Sequence, residues 1–277
     1  MTATNHIEEC LGEARAVGRC ALLPYLTCGF PDRRTTAELI VAADAAGAAV
    51  VEIGAPYSDS IADGPVIQNS FNEALARGHR VSDFFDVVRE VRSSVRCALA
   101  AMLSYSIVHR VGVERFMERS DEAGFDGIIL PDVPLEESGL ISAAARGAGL
   151  CHIGLIAPTT SADRREKIAS VATGFIYQIA AAGTTGERAD LPATLGKEVD
   201  DLRRHTRLPI CVGFGISNAA QVRAVAGIAD GAIVGSAIIR RIEEAAARGA
   251  DPKAIVAVVT EFLTELSTGL MPCALPR

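Results

Sequence analysis

Eight short apolar runs, each followed by a stretch with helical spacing, recur along this 277-residue chain, and that alternation narrows the fold more than any other feature. The runs cover residues 21–27, 49–54, 97–103, 126–131, 150–156, 174–180, 208–213 and 231–235. They are nearly continuous in apolar residues, as parallel strands covered on both faces must be. Helical spacing predicts helices over 35–47, 66–77, 81–95, 113–124, 136–149, 163–172, 190–205 and 218–226, with two more at 237–248 and 252–266. Thr35 and Thr36 are expected to cap the first of these, and a cap is expected at Asn218 after Ser217. Eight strands alternating with helices predict an α/β chain folded as a single (β/α)8 TIM barrel over residues 1–277. A doubly wound open sheet is the rival, but no GxGxxG follows an early strand and no Pro-, Gly- or Ser-rich linker divides the chain. Within 1–18, Ile7, Cys10, Leu11 and Ala14 form a helical stripe that could cover the barrel's N-terminal end. The segment 267–277, with two prolines, is expected to be a loose tail.

Composition bounds the partners. With 49% apolar and 22% charged residues the chain can bury a sizeable core without a disulfide or metal staple. The net charge of −7 argues against nucleic acid and against an anionic membrane surface. It does not exclude an anionic ligand, because backbone N–H groups can hold a phosphate on an acidic protein. Cys10, Cys20, Cys28, Cys97, Cys151, Cys211 and Cys273 are scattered, never as CxxC, and read as reduced thiols. The first fifteen residues have no apolar core of a signal peptide, and the uncharged stretch 168–186 is broken by glycines. A cytoplasmic setting without membrane contact is expected.

In a barrel the chemistry gathers after the C-terminal ends of the strands. Glu52 closes an otherwise apolar second run, where a carboxylate is costly unless it has partners or carries chemistry. Burial there should raise its pKa toward neutrality, as an acid/base group requires, although pairing with a rim Lys or Arg would also explain it. Asp63 follows on the loop and reads equally as a turn cap or as a second functional acid. Asp132 lies in Leu-Pro-Asp-Val-Pro and reads as a turn or a substrate contact. Tyr177, in the sixth run, reads as core or cavity wall. Gly213-Phe-Gly-Ile-Ser217 and Gly235-Ser236 follow the seventh and eighth runs, the usual phosphate position of barrels. His6, His79, His109, His152 and His205 show no metal-ligand spacing, so no metal and no cofactor are expected. No GxSxG is present, and Lys167, Lys197 and Lys253 lie in polar helical segments, against a Schiff-base mechanism.

The segment Glu52-Ile-Gly-Ala-Pro-Tyr-Ser-Asp-Ser-Ile-Ala-Asp-Gly-Pro-Val-Ile-Gln68 closely resembles the signature of the tryptophan synthase α subunit family. Leu23-Pro-Tyr-Leu-Thr27, Leu130-Pro-Asp-Val-Pro-Leu-Glu-Glu137, Ile156-Ala-Pro-Thr159, Gly183-Thr-Thr-Gly186, Gly213-Phe-Gly-Ile-Ser217 and Gly235-Ser-Ala237 match in family order over most of the chain. The resemblance implies a (β/α)8 lyase that cleaves indole-3-glycerol phosphate to indole and glyceraldehyde 3-phosphate by retro-aldol chemistry. It implies Glu52 as the acid/base and Asp63 as the partner of the indole N–H. It places Tyr25, Tyr177 and Phe214 at the indole pocket, Gly186, Gly215, Gly235 and Ser236 at the phosphate, and Thr185 on a loop that orders the aspartate on closure.

The departures concern the partner. The family usually has Ser-Asp-Pro where this chain has Ser58-Asp59-Ser60, and Tyr-x-Asn where it has Ser104-Tyr105-Ser106. A third departure is Ala180-Ala-Ala182, where a Ser usually precedes the Gly-x-Thr-Gly loop. The resemblance implies that the first two loops contact a tryptophan synthase β subunit, so Ser60 and Ser106 leave open a conventional α chain or a stand-alone lyase releasing indole. A non-catalytic phosphate-ligand-binding activator of a β subunit, or another phosphosugar barrel enzyme, are the readings from other classes.

Overall fold

The computed structural model describes residues 5–60, 63–180, 191–213 and 215–270. Eight parallel strands close into a barrel in chain order: β1 (Ala21–Thr27), β2 (Val50–Gly54), β3 (Ala98–Met102), β4 (Gly127–Ile129), β5 (Cys151–Ile156), β6 (Ile176–Ile179), β7 (Ile210–Gly213) and β8 (Gly231–Val234). Each lies within its predicted apolar run. Following the Cα register once around from Tyr25 returns to the β1 segment displaced by eight residues, the shear of a (β/α)8 barrel. The open-sheet rival is thereby excluded.

The helical layer comprises α1 (His6–Ala16), α2 (Arg33–Ala45), α3 (Pro65–Ala76), α4 (Val81–Val91), α5 (Tyr105–Val111), α6 (Val113–Ala123), α7 (Leu135–Gly147), α8 (Ala162–Val171), α9 (Leu195–Arg203), α10 (Ala219–Ala226), α11 (Ser236–Ala247) and α12 (Pro252–Ser267). Three expectations need correction. The cap of α2 is Asp32, whose carboxylate accepts from Thr35 N at 2.8 Å and from Thr35 Oγ1 at 2.7 Å; Thr35 and Thr36 lie inside the first turn. The helix expected from residue 190 begins, among the described residues, at Leu195. The seven-residue α5 had no periodic signal, being too short to show one. It is held by Ser104 at its N-cap and, from the β4 loop, by Asp132, which accepts from Ser104 Oγ and Tyr105 N, both at 2.7 Å. The cap at Asn218 is as expected and accepts from Gln221 N at 3.0 Å.

Two apolar layers result. The larger packs the barrel's outer face against the helices. The smaller fills the lower barrel with Ala21, Leu23, Val50, Ala98, Ile153 and Phe175, and includes Ile7 and Leu11 of α1. The helix thus plugs the N-terminal mouth, as its stripe suggests. Small residues make room for it: a Cβ on Gly127 would lie 2.6 Å from Ile7 Cδ1. Asn5 caps α1 by accepting from Ile7 N at 2.9 Å, and its Nδ2 ties the helix to the barrel through Asp126 O and Gly149 O. Among the described residues no helix is long and apolar enough to cross a membrane. Ile7 has no exposed surface, so Ile7→Ala removes packing from inside the barrel mouth. The expected loss is about 2–5 kcal/mol, measured as a lower urea midpoint with unchanged far-UV circular dichroism before the transition.

Candidate active site

Tyr25 and Glu52 are register partners on adjacent strands near the C-terminal end of the barrel. Val50 belongs to the barrel interior, and the two-residue alternation of a strand turns Glu52 and Gly54 the same way. Glu52 therefore sits inside β2 rather than at its end, fully buried. Neither carboxyl oxygen has a hydrogen-bond partner among the described residues. Among the described residues, no rim Lys or Arg pairs with it, the alternative explanation for this residue. Desolvation without compensation pushes the carboxyl well above its ordinary range.

Above this level the barrel opens into a cavity of about 160 Å³. Ile67, Met102, Leu155, Ile179 and Ile233 give it an apolar wall, while Tyr25, Tyr57, Asp63, Tyr177 and Ser236 bring polar atoms to it. Glu52 does not border the cavity, but its charge reaches the phenols of Tyr25 and Tyr177, which do. Tyr177 is thus a cavity wall, half-buried and seated beside Gly213. Asp63 faces the same space, and burial raises its carboxyl to about 6. Gln68 fixes the loop that carries it: its Nε2 donates to Ser60 O and Asp63 O, each at 2.9 Å, and Asp63 N donates to Ser60 O at 3.0 Å. Ser60 is buried at 6% exposure, so it faces this loop and not solvent.

Across the cavity, Gly235 precedes α11 and Ser236 begins it, and Gly215 lies beside them with φ +85°. The unsatisfied N–H groups and positive end of a twelve-residue helix meet the cavity there. Thr185, Gly186 and Phe214 lie outside the described residues. Asp132 is committed to the cap of α5 and does not border this cavity, an arrangement in line with the turn role. Tyr105 OH donates to Glu137, tying the β3 loop to α7. Ser106, exposed, lines an open groove with Ser58, Asp59, Ser104, Arg110 and Asp132. No group of His, Cys, Asp and Glu among the described residues is arranged to hold a metal ion. The six described cysteines are free thiols. Sequence reasoning missed Tyr57 and Gln68, although both lie within the signature run. A polar side chain at the first turn of α3, one helical turn from the loop it must hold, was the available signal for Gln68.

Fold and cavity together define a (β/α)8 barrel of the enzyme kind, with carboxyl groups buried at the C-terminal end of its strands. Comparison with known proteins makes the class specific: residues 11–268 match the family model described as tryptophan synthase alpha chain, and the chain belongs to that family. It is 44% identical over 240 residues to the tryptophan synthase alpha chain of Chloroflexus aurantiacus, covering 86% of this chain and 90% of that one. It is 42% identical to that of Roseiflexus sp. over 95% of this chain and 99% of that one. Among solved structures, the tryptophan synthase subunit alpha of Legionella pneumophila is similar at a TM-score of 0.88 and 33% identity, covering 96% of this chain and 98% of that one. The chain is a carbon–carbon lyase of the family that cleaves indole-3-glycerol phosphate, and members of this family work with a β subunit.

A buried carboxyl with a raised pKa has a stability signature. Its acid form is favoured in the folded state, so the stability it permits is full below the unfolded pKa of about 4.3 and falls as pH rises toward the folded value. Glu52→Gln removes this titration. The variant is expected to melt at a higher temperature than the parent near pH 8, with the gap closing toward pH 4, by differential scanning calorimetry.

Proposed function

We propose that Glu52 and Asp63 divide the cleavage of indole-3-glycerol phosphate between them, Glu52 as proton carrier and Asp63 as charge stabiliser. The observation that carries this reading is the unequal burial of two carboxyls at one end of the barrel: Glu52 is enclosed without a hydrogen-bond partner among the described residues, while Asp63 faces the open cavity. The first favours a neutral acid at pH 7, and the second titrates near 6 and is largely ionised.

The steps follow. A side-chain rotation brings the Glu52 O–H to indole C3, and the proton passes to carbon. C3 becomes tetrahedral, and positive charge develops on the ring nitrogen, whose N–H donates to the Asp63 carboxylate. In a dry, apolar-walled site that interaction is strongest when the charge is greatest, so it favours the transition state. The Glu52 carboxylate then removes the proton of the hydroxyl on the carbon attached to C3. The O–H electrons form the aldehyde C=O, and the electrons of the breaking C–C bond return to the ring and neutralise its nitrogen. Indole and glyceraldehyde 3-phosphate leave, and Glu52 is an acid again. Tyr25 and Tyr177 wall the indole site. Backbone N–H groups at Gly215 and Gly235 and the N-terminus of α11, with the Ser236 hydroxyl, hold the phosphate opposite. Thr185, Gly186 and Phe214 belong to the same site by resemblance.

For the partner, the groove lined by Ser58, Asp59, Ser104, Ser106 and Arg110 is the surface we assign to a β subunit, and we place the chain in the cytoplasm as a conventional α chain. Burial of Ser60 supports this assignment, because that departure from the family leaves the exposed surface little changed.

Two measurements test the reading. Indole release from indole-3-glycerol phosphate should fall by about 10²–10⁴-fold in Glu52→Gln and comparably in Asp63→Asn. In the parent, kcat/KM should fall about tenfold per pH unit below about 6, where Asp63 becomes protonated. Retention of indole release in both variants would mean that other groups carry the proton and the charge, and no indole release by the parent would leave another phosphosugar reaction or ligand binding alone. Adding a β subunit should raise turnover, and Arg110→Glu should raise the β concentration needed for half-activation by at least about tenfold. Full activity without β, unaltered by it, would mark a stand-alone lyase.

A further inference from the structure

A second cavity, of about 60 Å³, lies on the outer side of the barrel, over β5 and between α7 and α8. Its origin can be read from β5. Ile153 belongs to the barrel interior and Ile156 to the outer layer, so the two-residue alternation turns His152 and Gly154 outward with Ile156. Helix α8 packs directly on Gly154, where a Cβ would lie 2.7 Å from Ile168 Cγ2, and the space beside that contact is the cavity. Val133, Leu135, Ile168 and Val171 give it apolar walls, and α7 turns Ser138 to it. Pro131 and Leu155 border both this cavity and the one at the barrel mouth, so the two share a wall.

The polar groups at this cavity do not satisfy one another. His152 is 3% exposed, and its Nδ1 has no hydrogen-bond partner among the described residues. Its backbone is paired with Thr173: His152 N donates to Thr173 Oγ1 at 2.8 Å, and Thr173 N donates to His152 O at 2.9 Å. The orphan is therefore the ring. Burial pushes the imidazole down to about 4, so at pH 7 it is neutral and has one N–H to give. An unpaired imidazole in such a place is destabilising. Ser138 Oγ donates to Pro134 O at 3.2 Å and has no proton to spare. The other donor is Arg164 of α8, an exposed residue that borders the cavity and is always charged. Among the described residues no Asp or Glu borders it.

A buried N–H and a guanidinium, with no carboxylate beside them, select for negative charge. Size selects further. At about 10–15 Å³ for one water-sized occupant, the space takes roughly four to six non-hydrogen atoms. Indole and glyceraldehyde 3-phosphate are larger, so this is not a second site for either. Phosphate and sulfate are small enough, but a dianion among apolar walls needs more donors than these two. A carboxylate carries a single charge, accepts from a guanidinium through both oxygens, and can lay a short carbon tail against Val133, Leu135 and Ile168. We propose that this cavity is a binding site for a short-chain carboxylate of about two to four carbon atoms, held by Arg164 and His152 behind the wall it shares with the cavity at the barrel mouth.

The test is nuclear magnetic resonance of the histidine rings in the full chain at pH 7, titrated with sodium acetate, propionate and butyrate at constant ionic strength. The His152 signal is the one missing from His152→Leu. In the parent it should shift saturably, with half-saturation at about 1–10 mM for the best of the three. Arg164→Glu, at an exposed position that leaves the fold intact, should raise that concentration at least about tenfold. Propionamide, which has the shape of propionate without its charge, should leave the signal in place. No saturable shift up to about 50 mM, a shift unchanged in Arg164→Glu, or an equal shift from propionamide overturns the proposal. Phosphate acting at the same concentration as the carboxylates overturns the assignment to a carboxylate.

Discussion

Closure of eight parallel strands at a shear of eight residues is the constraint from which the site follows. It leaves no sheet edge and turns every second strand residue into a confined interior. The lower interior is filled by small and apolar side chains and by Ile7 and Leu11 of α1, so solvent has no entry from below. What remains open is the C-terminal end, where Tyr25, Asp63, Tyr177 and the start of α11 converge. A carboxyl placed at Glu52 has no choice of environment, because its strand position points it into that confined space.

Two acids close in sequence therefore receive different fates. Glu52 is enclosed by the barrel, and no partner among the described residues offsets the loss of water. Asp63 hangs on a loop that Gln68 braces through two backbone carbonyls, and it faces the cavity. The same burial that raises the Glu52 carboxyl above its ordinary range lowers stability as pH rises, the common cost of a carboxyl in an apolar setting.

Much of this was legible in the amino-acid sequence, for identifiable reasons. Parallel strands covered on both faces read as apolar runs, so all eight were visible. Their ends were less so, because residues such as Asp126 and Pro209 flank the ladder and serve it by capping Leu99 N or lacking an N–H. Glu52 stood out as the one charge in the second strand, and the glycines near β7 and β8 pointed to the side of the barrel proposed to hold phosphate. Short α5 was invisible because its cap comes partly from Asp132, across a tertiary contact.

The central claim is that Glu52 is a neutral carboxylic acid at the pH where the enzyme works. The most direct measurement is the infrared difference spectrum near pH 7 between the parent chain and Glu52→Gln, with the isotope shift of deuterium exchange to identify the band. The account predicts a carbonyl stretch of a protonated carboxyl that disappears in the variant and titrates well above the ordinary carboxylate range. A carboxylate band at pH 7, titrating near 4, would contradict it.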